Sequence, residues 1–121
     1  ELIPFCEKYD LGVLPYFPLA NGFLTGKYKK GKAAPSGSRL QSDDRGVFTE
    51  ENFEFIENLR SFGKERGKSV LDLAFAWLLK RGVVSSVIAG ATTVEQVISN
   101  ASTADWELSN EEYEMVTDII P

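Results

Sequence analysis

The sequence predicts an α/β fold assembled from parallel βα units, and three observations predict it. Short apolar runs alternate with longer stretches of helical period along the chain. Two of those runs, Val13 to Phe17 and Val83 to Ala89, are nearly continuously apolar, as strands buried on both faces are. Each run empties into a loop of glycines and hydroxyls before the next helix begins. Two parallel strands neither close a sheet nor cover both of its faces, so neighbouring strands are expected outside these residues.

Taken in order, Leu2, Phe5 or Cys6, and Tyr9 fall at helical spacing, with Gly12 as the stop. The chain is therefore expected to open partway through a helix. With its only methionine at Met115, it is expected to be processed or a piece of something longer, and the opening residues favour the second. Val13 to Phe17 reads as a short strand, although Pro15 removes one ladder donor and implies an early end or a bulge. Residues 29–48 carry Gly31, Pro35, Gly37, Gly46, several serines and the pair Asp43-Asp44 without any period, which makes them a long loop of the kind often used as a lid or binding segment.

Helical patterning resumes near Thr49. Phe53, Ile56, Leu59 and Phe62 share one side, and Glu50, Glu51, Glu54, Glu57 and Arg60 lie mostly on the other, with Gly67 as the stop. Ser69 with Asp72 three residues on reads as a cap for a second helix, Val70 to Lys80, which is apolar almost all round and closes at Gly82. Val83 to Ala89 is the second strand. After Gly90, Thr93 with Gln96 caps a short helix to about Asn100. Ser109 with Glu112 caps the last one, which sends Tyr113, Val116 and Ile120 inward.

Composition narrows the function classes. The 121 residues suit one domain, and no apolar run approaches the roughly 18 residues of a membrane helix, so a soluble, cytoplasmic protein without membrane partners is expected. A net charge of −5 argues against a nucleic-acid partner. The chain has no histidine and a single cysteine, Cys6, which excludes histidine chemistry within it and makes zinc or any other metal site unexpected. Cys6 reads as a small core residue, and Trp77 as core. Lys29, Lys30 and Lys32 read as solvated loop charges.

In parallel α/β folds, ligands sit where strands end and helices begin, because backbone amides and helix N-termini point there. Pro18 to Tyr28 is the first such end. Gly22 and Gly26 permit close backbone approach, and Lys27 supplies positive charge, a pattern suited to phosphates. Gly90 to Asn100 is the second. Thr92 and Thr93 present hydroxyls, and Gln96 and Asn100 lie four apart on one helical face. Taken alone, that second segment is read more simply as an N-cap, its capping-box partner and a helix-end residue.

The order of PLANGFLTGKY, the long loop ending in Ser38-Arg39, LAFAWLL and VIAGATTVEQVISN resembles the carboxy-terminal part of the aldo-keto reductases, in the branch that includes bacterial oxidoreductases and potassium-channel beta subunits. The resemblance spans nearly the whole chain. It implies the C-terminal segment of a single (β/α)₈ TIM barrel domain, with residues 1–121 supplying the last two strands and their helices; a complete barrel runs to roughly 250 residues. It further implies NADP(H) as cofactor, a small-molecule carbonyl as substrate, and the N-terminal part of the barrel as the structural partner. By matching positions, Phe17, Pro18, Leu19, Ala20, Gly22 and Leu24 would follow the pyrophosphate, with Tyr16 stacked on the nicotinamide. Lys27 and Arg39 would reach phosphates, and Gly90, Thr92, Gln96 and Asn100 would hold the adenosine end and its 2′-phosphate. Ser99 departs from the pattern, since the branch often carries a glutamate there for the adenine amine. The family's tyrosine, lysine, aspartate and histidine lie in the amino-terminal half, and no tyrosine here falls at the matching motif, so no catalytic residue is assigned. The resemblance leaves open an NADPH-dependent carbonyl reductase and a nucleotide-binding regulatory subunit. A small α/β interaction domain is the third reading of the residues.

Overall fold

The computed structural model describes residues 1–121 and is organised by five α-helices: α1 (Leu2–Lys8), α2 (Glu50–Lys64), α3 (Val70–Leu79), α4 (Val94–Ser102) and α5 (Asn110–Ile119). Two short 3₁₀ segments, Ala20–Thr25 and Thr103–Asp105, complete the regular structure. Four helices begin as their sequences dictate. Thr49, Ser69, Thr93 and Ser109 each offer a hydroxyl to the amide three residues on, and in α3 and α5 the N3 carboxylates of Asp72 and Glu112 return the bond as full capping boxes.

The core lies between helices. Phe53, Ile56 and Leu59 of α2, Val70, Leu73 and Ala76 of α3, and Val116 of α5 form one cluster with Phe23, Tyr28, Leu40 and Leu108. The expected helical faces are thus the buried ones. Phe23, Tyr28, Phe48 and Phe53 add a set of ring contacts with centroids 5.2–6.2 Å apart. Trp77 stacks on Tyr113 at 5.7 Å and donates its Nε1–H to the Thr117 hydroxyl, so it packs as structure and not as a ligand platform. Ile119, and not Ile120, meets the core at the end of α5; Ile120 is already extended and exposed.

The two predicted strands do not form. Val13 and Val84 make one isolated parallel bridge, in which the Val13 N–H donates to Val83 O at 2.8 Å and the Ser85 N–H to Val13 O at 3.0 Å. Neither Val13 to Phe17 nor Val83 to Ala89 extends further as a strand. The reason is physical: a parallel pair with no third strand leaves its outer amides and carbonyls to water, and Pro15 removes a donor two residues after the bridge. The α/β class is therefore present as its helices and the first rung of a ladder.

Gly12 serves a different purpose from the helix stop the sequence suggested. The chain leaves α1 through Asp10 at φ 53°, whereas Gly12 lies so close to Ser85 that a Cβ there would collide with the Ser85 hydroxyl. Gly12 thus lets the two bridged segments approach. The predicted α1 spacing holds, yet only Cys6 of that helix is buried, and it stands outside the main cluster. No helix is long and apolar enough to cross a membrane.

Candidate functional site

The loop after the bridge is built around left-handed backbone. Phe17 (φ 54°), Ala20 (φ 44°), Asn21 (φ 58°) and Gly22 (φ 91°) turn it sharply, and the Ala20–Thr25 segment kinks at Asn21 and Gly22. Three of the four are non-glycine residues in a region that costs of order 1–2 kcal/mol each. Packing holds them there: Ala20 and Leu24 lie against the core, Phe23 is buried within it, and the Thr25 hydroxyl closes on Gly22 O at 2.7 Å. Pro18 and Leu19 are half-buried. Tyr16 and Phe17 project outward as a pair, ring centroids 4.1 Å apart, with Tyr16 83% exposed.

Lys27 folds back over this turn. A side chain at position 22 would meet Lys27 Nζ at 3.5 Å, and the ammonium stands 5.3 Å from the Tyr28 ring centroid. Tyr28 is the residue that sequence reasoning missed. Buried to 2% exposure, its phenolic oxygen accepts the Leu40 N–H at 3.3 Å and lies 3.9 Å from where a Gly22 Cβ would be. The far end of the long loop is thereby tied to the glycine turn, and with it Arg39. Leu40, 1% exposed, is the apolar anchor.

Arg39 in turn reaches the second loop, where its Nη2 stands 3.9 Å from a Cβ position on Gly90. Neither Lys27 nor Arg39 forms an ion pair. Beside Arg39, the Ser38 hydroxyl is buried without any hydrogen-bond partner, an arrangement that costs about 1–3 kcal/mol if nothing answers it. Its one signal in the sequence is its place next to Arg39. Lys29 and Lys32 are exposed, as expected of solvated loop charges, while Lys30 pairs with Glu50 at the start of α2.

At the second loop the plainer expectation holds for Thr93 alone. Thr93 caps α4, its hydroxyl accepting the Gln96 N–H at 3.3 Å. Gln96 differs from a capping-box partner, because its side-chain oxygen accepts from the Thr92 N–H at 2.8 Å and the Thr92 hydroxyl at 3.2 Å. That pair fixes Thr92 and leaves the Gln96 amide N–H₂ pointing to solvent as a donor. Asn100 is half-buried one turn on; its carbonyl accepts the Thr103 hydroxyl, and its side chain makes no bond within the chain. Hydrogen bonds from its own backbone N–H and the Thr93 hydroxyl hold the Glu95 carboxyl below its ordinary range.

The geometry thus gathers Gly22, Lys27, Arg39 and Gly90, with Tyr28 as the tie, while Thr92 and Gln96 are bonded to each other at the start of α4, Asn100 follows one turn on, and Tyr16 projects into solvent with Phe17. Two unpaired cations over two bare backbone positions, with a spare buried hydroxyl beside one of them, suit an anion with several oxygens.

The family model for the Aldo/keto reductase family matches residues 1–121. The chain is 34% identical over 110 residues to a protein of Oryza sativa subsp. japonica named "Probable voltage-gated potassium channel subunit beta", covering 87% of this chain and 33% of that protein. It is 34% identical over 106 residues to L-glyceraldehyde 3-phosphate reductase of Escherichia coli (strain K12), covering 82% of this chain and 30% of that protein. The structure resembles that of the glycerol dehydrogenase AKR11B4 from Gluconobacter oxydans with a TM-score of 0.79 at 30% identity, over 98% of this chain and 36% of that one. The chain spans about a third of the length of the curated relatives it matches.

Proposed function

The chain belongs to the aldo/keto reductase family, and from that premise we propose that it is the cofactor-clasping, C-terminal segment of an NADPH-dependent oxidoreductase that reduces aldehydes or ketones to alcohols. The observation that carries this reading is the placement of two unpaired cations, Lys27 over Gly22 and Arg39 at Gly90, on loops tied together through Tyr28. The residues fit the group. Bare backbone at Gly22 and Gly90 leaves room for phosphate oxygens, the two cations match their charge, and the partnerless Ser38 hydroxyl offers one more donor. In this reading Phe17 to Leu24 follow the pyrophosphate, Lys27 and Arg39 meet phosphates, and Thr92, Gln96 and Asn100 face the adenosine end. Tyr16, exposed ahead of the glycine loop, lies against the nicotinamide.

When bound, NADPH supplies a hydride to the carbonyl carbon. The role of this chain's residues is to bind and orient. None of its tyrosines stands at the family's proton-donor motif, so the donor comes from the part of the barrel that these residues do not include. The purified 121-residue chain is accordingly expected to oxidise no NADPH with aldehyde present; robust turnover would overturn the division of labour.

Binding tests the clasp itself. Fluorescence titration with NADPH and NADH is expected to show Arg39→Ala and Lys27→Ala weakening NADPH more than NADH, by about tenfold for a lost charge-assisted bond to the extra phosphate. Equal losses for both cofactors would remove that assignment. The likeness to the rice protein supports a second reading, a nucleotide-binding regulatory subunit. A tyrosine with its lysine and aspartate at strand ends of the parent barrel decides for the enzyme, and its absence decides for the subunit.

A further inference from the structure

A cleft of about 490 Å³ borders the glycine loop at Thr25 and Gly26 and is walled by Arg60 and Lys64 of α2, Lys68 of the α2–α3 connection and Asp72 of α3. None of Lys27, Arg39, Gly90 or Thr92 lines it, so it is separate from the clasp described above. In a chain of net charge −5 it collects three cations against one carboxylate. That carboxylate is committed: Asp72 accepts the Ser69 N–H at 2.8 Å and the Ser69 hydroxyl at 2.7 Å. The same capping box closes the N-terminus of α3, whose amides therefore add little, and the two lysines, which have no carboxylate partner, set the character of the cleft. Lys64 has no ion-pair partner, and Lys68 meets only the Trp106 ring, at 5.3 Å. Like charges gathered in an open cleft repel one another, and an anion relieves that repulsion.

We propose that this cleft is a second oxyanion site, taking a phosphate group either free or as a small monoester, and that it is coupled to the glycine loop. The coupling is carried by two hydrogen bonds. Arg60 Nη2 donates to Gly26 O at 3.1 Å, where Gly26 ends the Ala20–Thr25 segment in left-handed conformation, and the Thr25 hydroxyl donates to Gly22 O at 2.7 Å. Arg60 also pairs with Glu57 through Nε at 3.2 Å, and its Nη1 makes no hydrogen bond within the chain. A phosphate bound there competes for that fork, and the bond it draws away is the one that restrains Gly26. Occupancy of the cleft is thereby felt at Gly22.

The test is a titration of the ¹⁵N-labelled chain with sodium phosphate, at ionic strength held constant with chloride. Saturable amide shifts are expected at Gly26, Gly67, Lys68 and Ser69, with a concerted shift at Gly22, and they persist in Arg39→Ala. Lys64→Ala and Lys68→Ala each weaken them by about tenfold, the loss expected of one charge-assisted bond. Lys64 is exposed and makes no ion pair or ring contact, so Lys64→Ala keeps the test valid whatever Lys68→Ala does to Trp106. Tighter saturation by phenyl phosphate than by inorganic phosphate assigns the site to monoesters, and the reverse assigns it to the free ion. Shifts confined to Gly22, Lys27 and Gly90 that vanish in Arg39→Ala overturn the proposal while leaving the clasp intact. So does a linear, unsaturating response, or an affinity unchanged in both lysine variants.

Discussion

Glu112 joins sequence, fold and pH in one side chain. Its carboxylate accepts the Ser109 N–H at 2.9 Å and the Arg66 Nε–H at 2.8 Å, and these two bonds, the first the larger cause, hold its pKa below the usual 4.5. A depressed folded-state pKa favours the folded chain above the unfolded value, and the benefit disappears as pH falls through the folded one. Thermal unfolding followed from neutral pH to about pH 3 is therefore expected to show Tm falling below pH 4.5, with a shallower acid limb in Glu112→Gln. An unchanged acid limb would mean that neither the Ser109 N–H bond nor the Arg66 contact holds the carboxylate in solution. Residues of this kind were half legible: Ser109 and Glu112 announced the cap by their spacing, whereas Arg66 lies 46 residues away and only the packing of α2 against α5 brings it there. The clasp divides in the same way. Gly22 and Lys27 sit within one loop and could be read as a phosphate pattern, but the Tyr28 tie and the orphaned Ser38 hydroxyl depend on where a long aperiodic loop returns.

Helices were the most legible elements because their signals are local. Each of the three capping pairs read from the sequence opens a helix at the expected residue, and the apolar period of α2 names the side chains that are buried. In α3 the cap anchors a helix whose Val70, Leu73, Phe75 and Ala76 are all buried, so its N-terminus is worth testing. Ser69→Ala removes the acceptor for Asp72 N–H and leaves Asp72 bonded to the Ser69 amide. The expected cost is about 1 kcal/mol, or roughly 4 °C in Tm, read by circular dichroism. A loss below a few tenths of a kcal/mol would show that packing alone sets the start of α3. Strands were the least legible in outcome. Val13 to Phe17 and Val83 to Ala89 have strand composition, but a strand is completed by its neighbours, and apolar composition cannot supply partners that the chain does not contain.

At the scale of the whole molecule, the chain buries a core on three helices and leaves much apolar surface elsewhere exposed. Its core lies among α2, α3, α5 and the long loop, whereas Leu2 (70% exposed), Leu14, Ile88 and Ile98 (63% exposed) form apolar surface on α1, the two bridged segments and α4, a helix with no buried residue. An isolated protein rarely tolerates so much apolar surface without a partner. Because the chain spans about a third of its relatives' length, the covering surface is expected to be the rest of the barrel, and the sheet should be the part that waits for it. Amide exchange separates the two halves of this picture. In the 121-residue chain, the Val13 and Ser85 amides of the lone bridge are expected to exchange at least about a hundredfold faster than Leu73 of α3, since the bridge opens locally while the helix core opens only with global unfolding. In a complete barrel that contains these residues, the same two amides should become as protected as the core, as strands with neighbours on both edges would. Equal protection in the 121-residue chain would mean that the bridged segments hold without neighbours, and that these exposed apolar residues belong to the native surface of a small α/β domain.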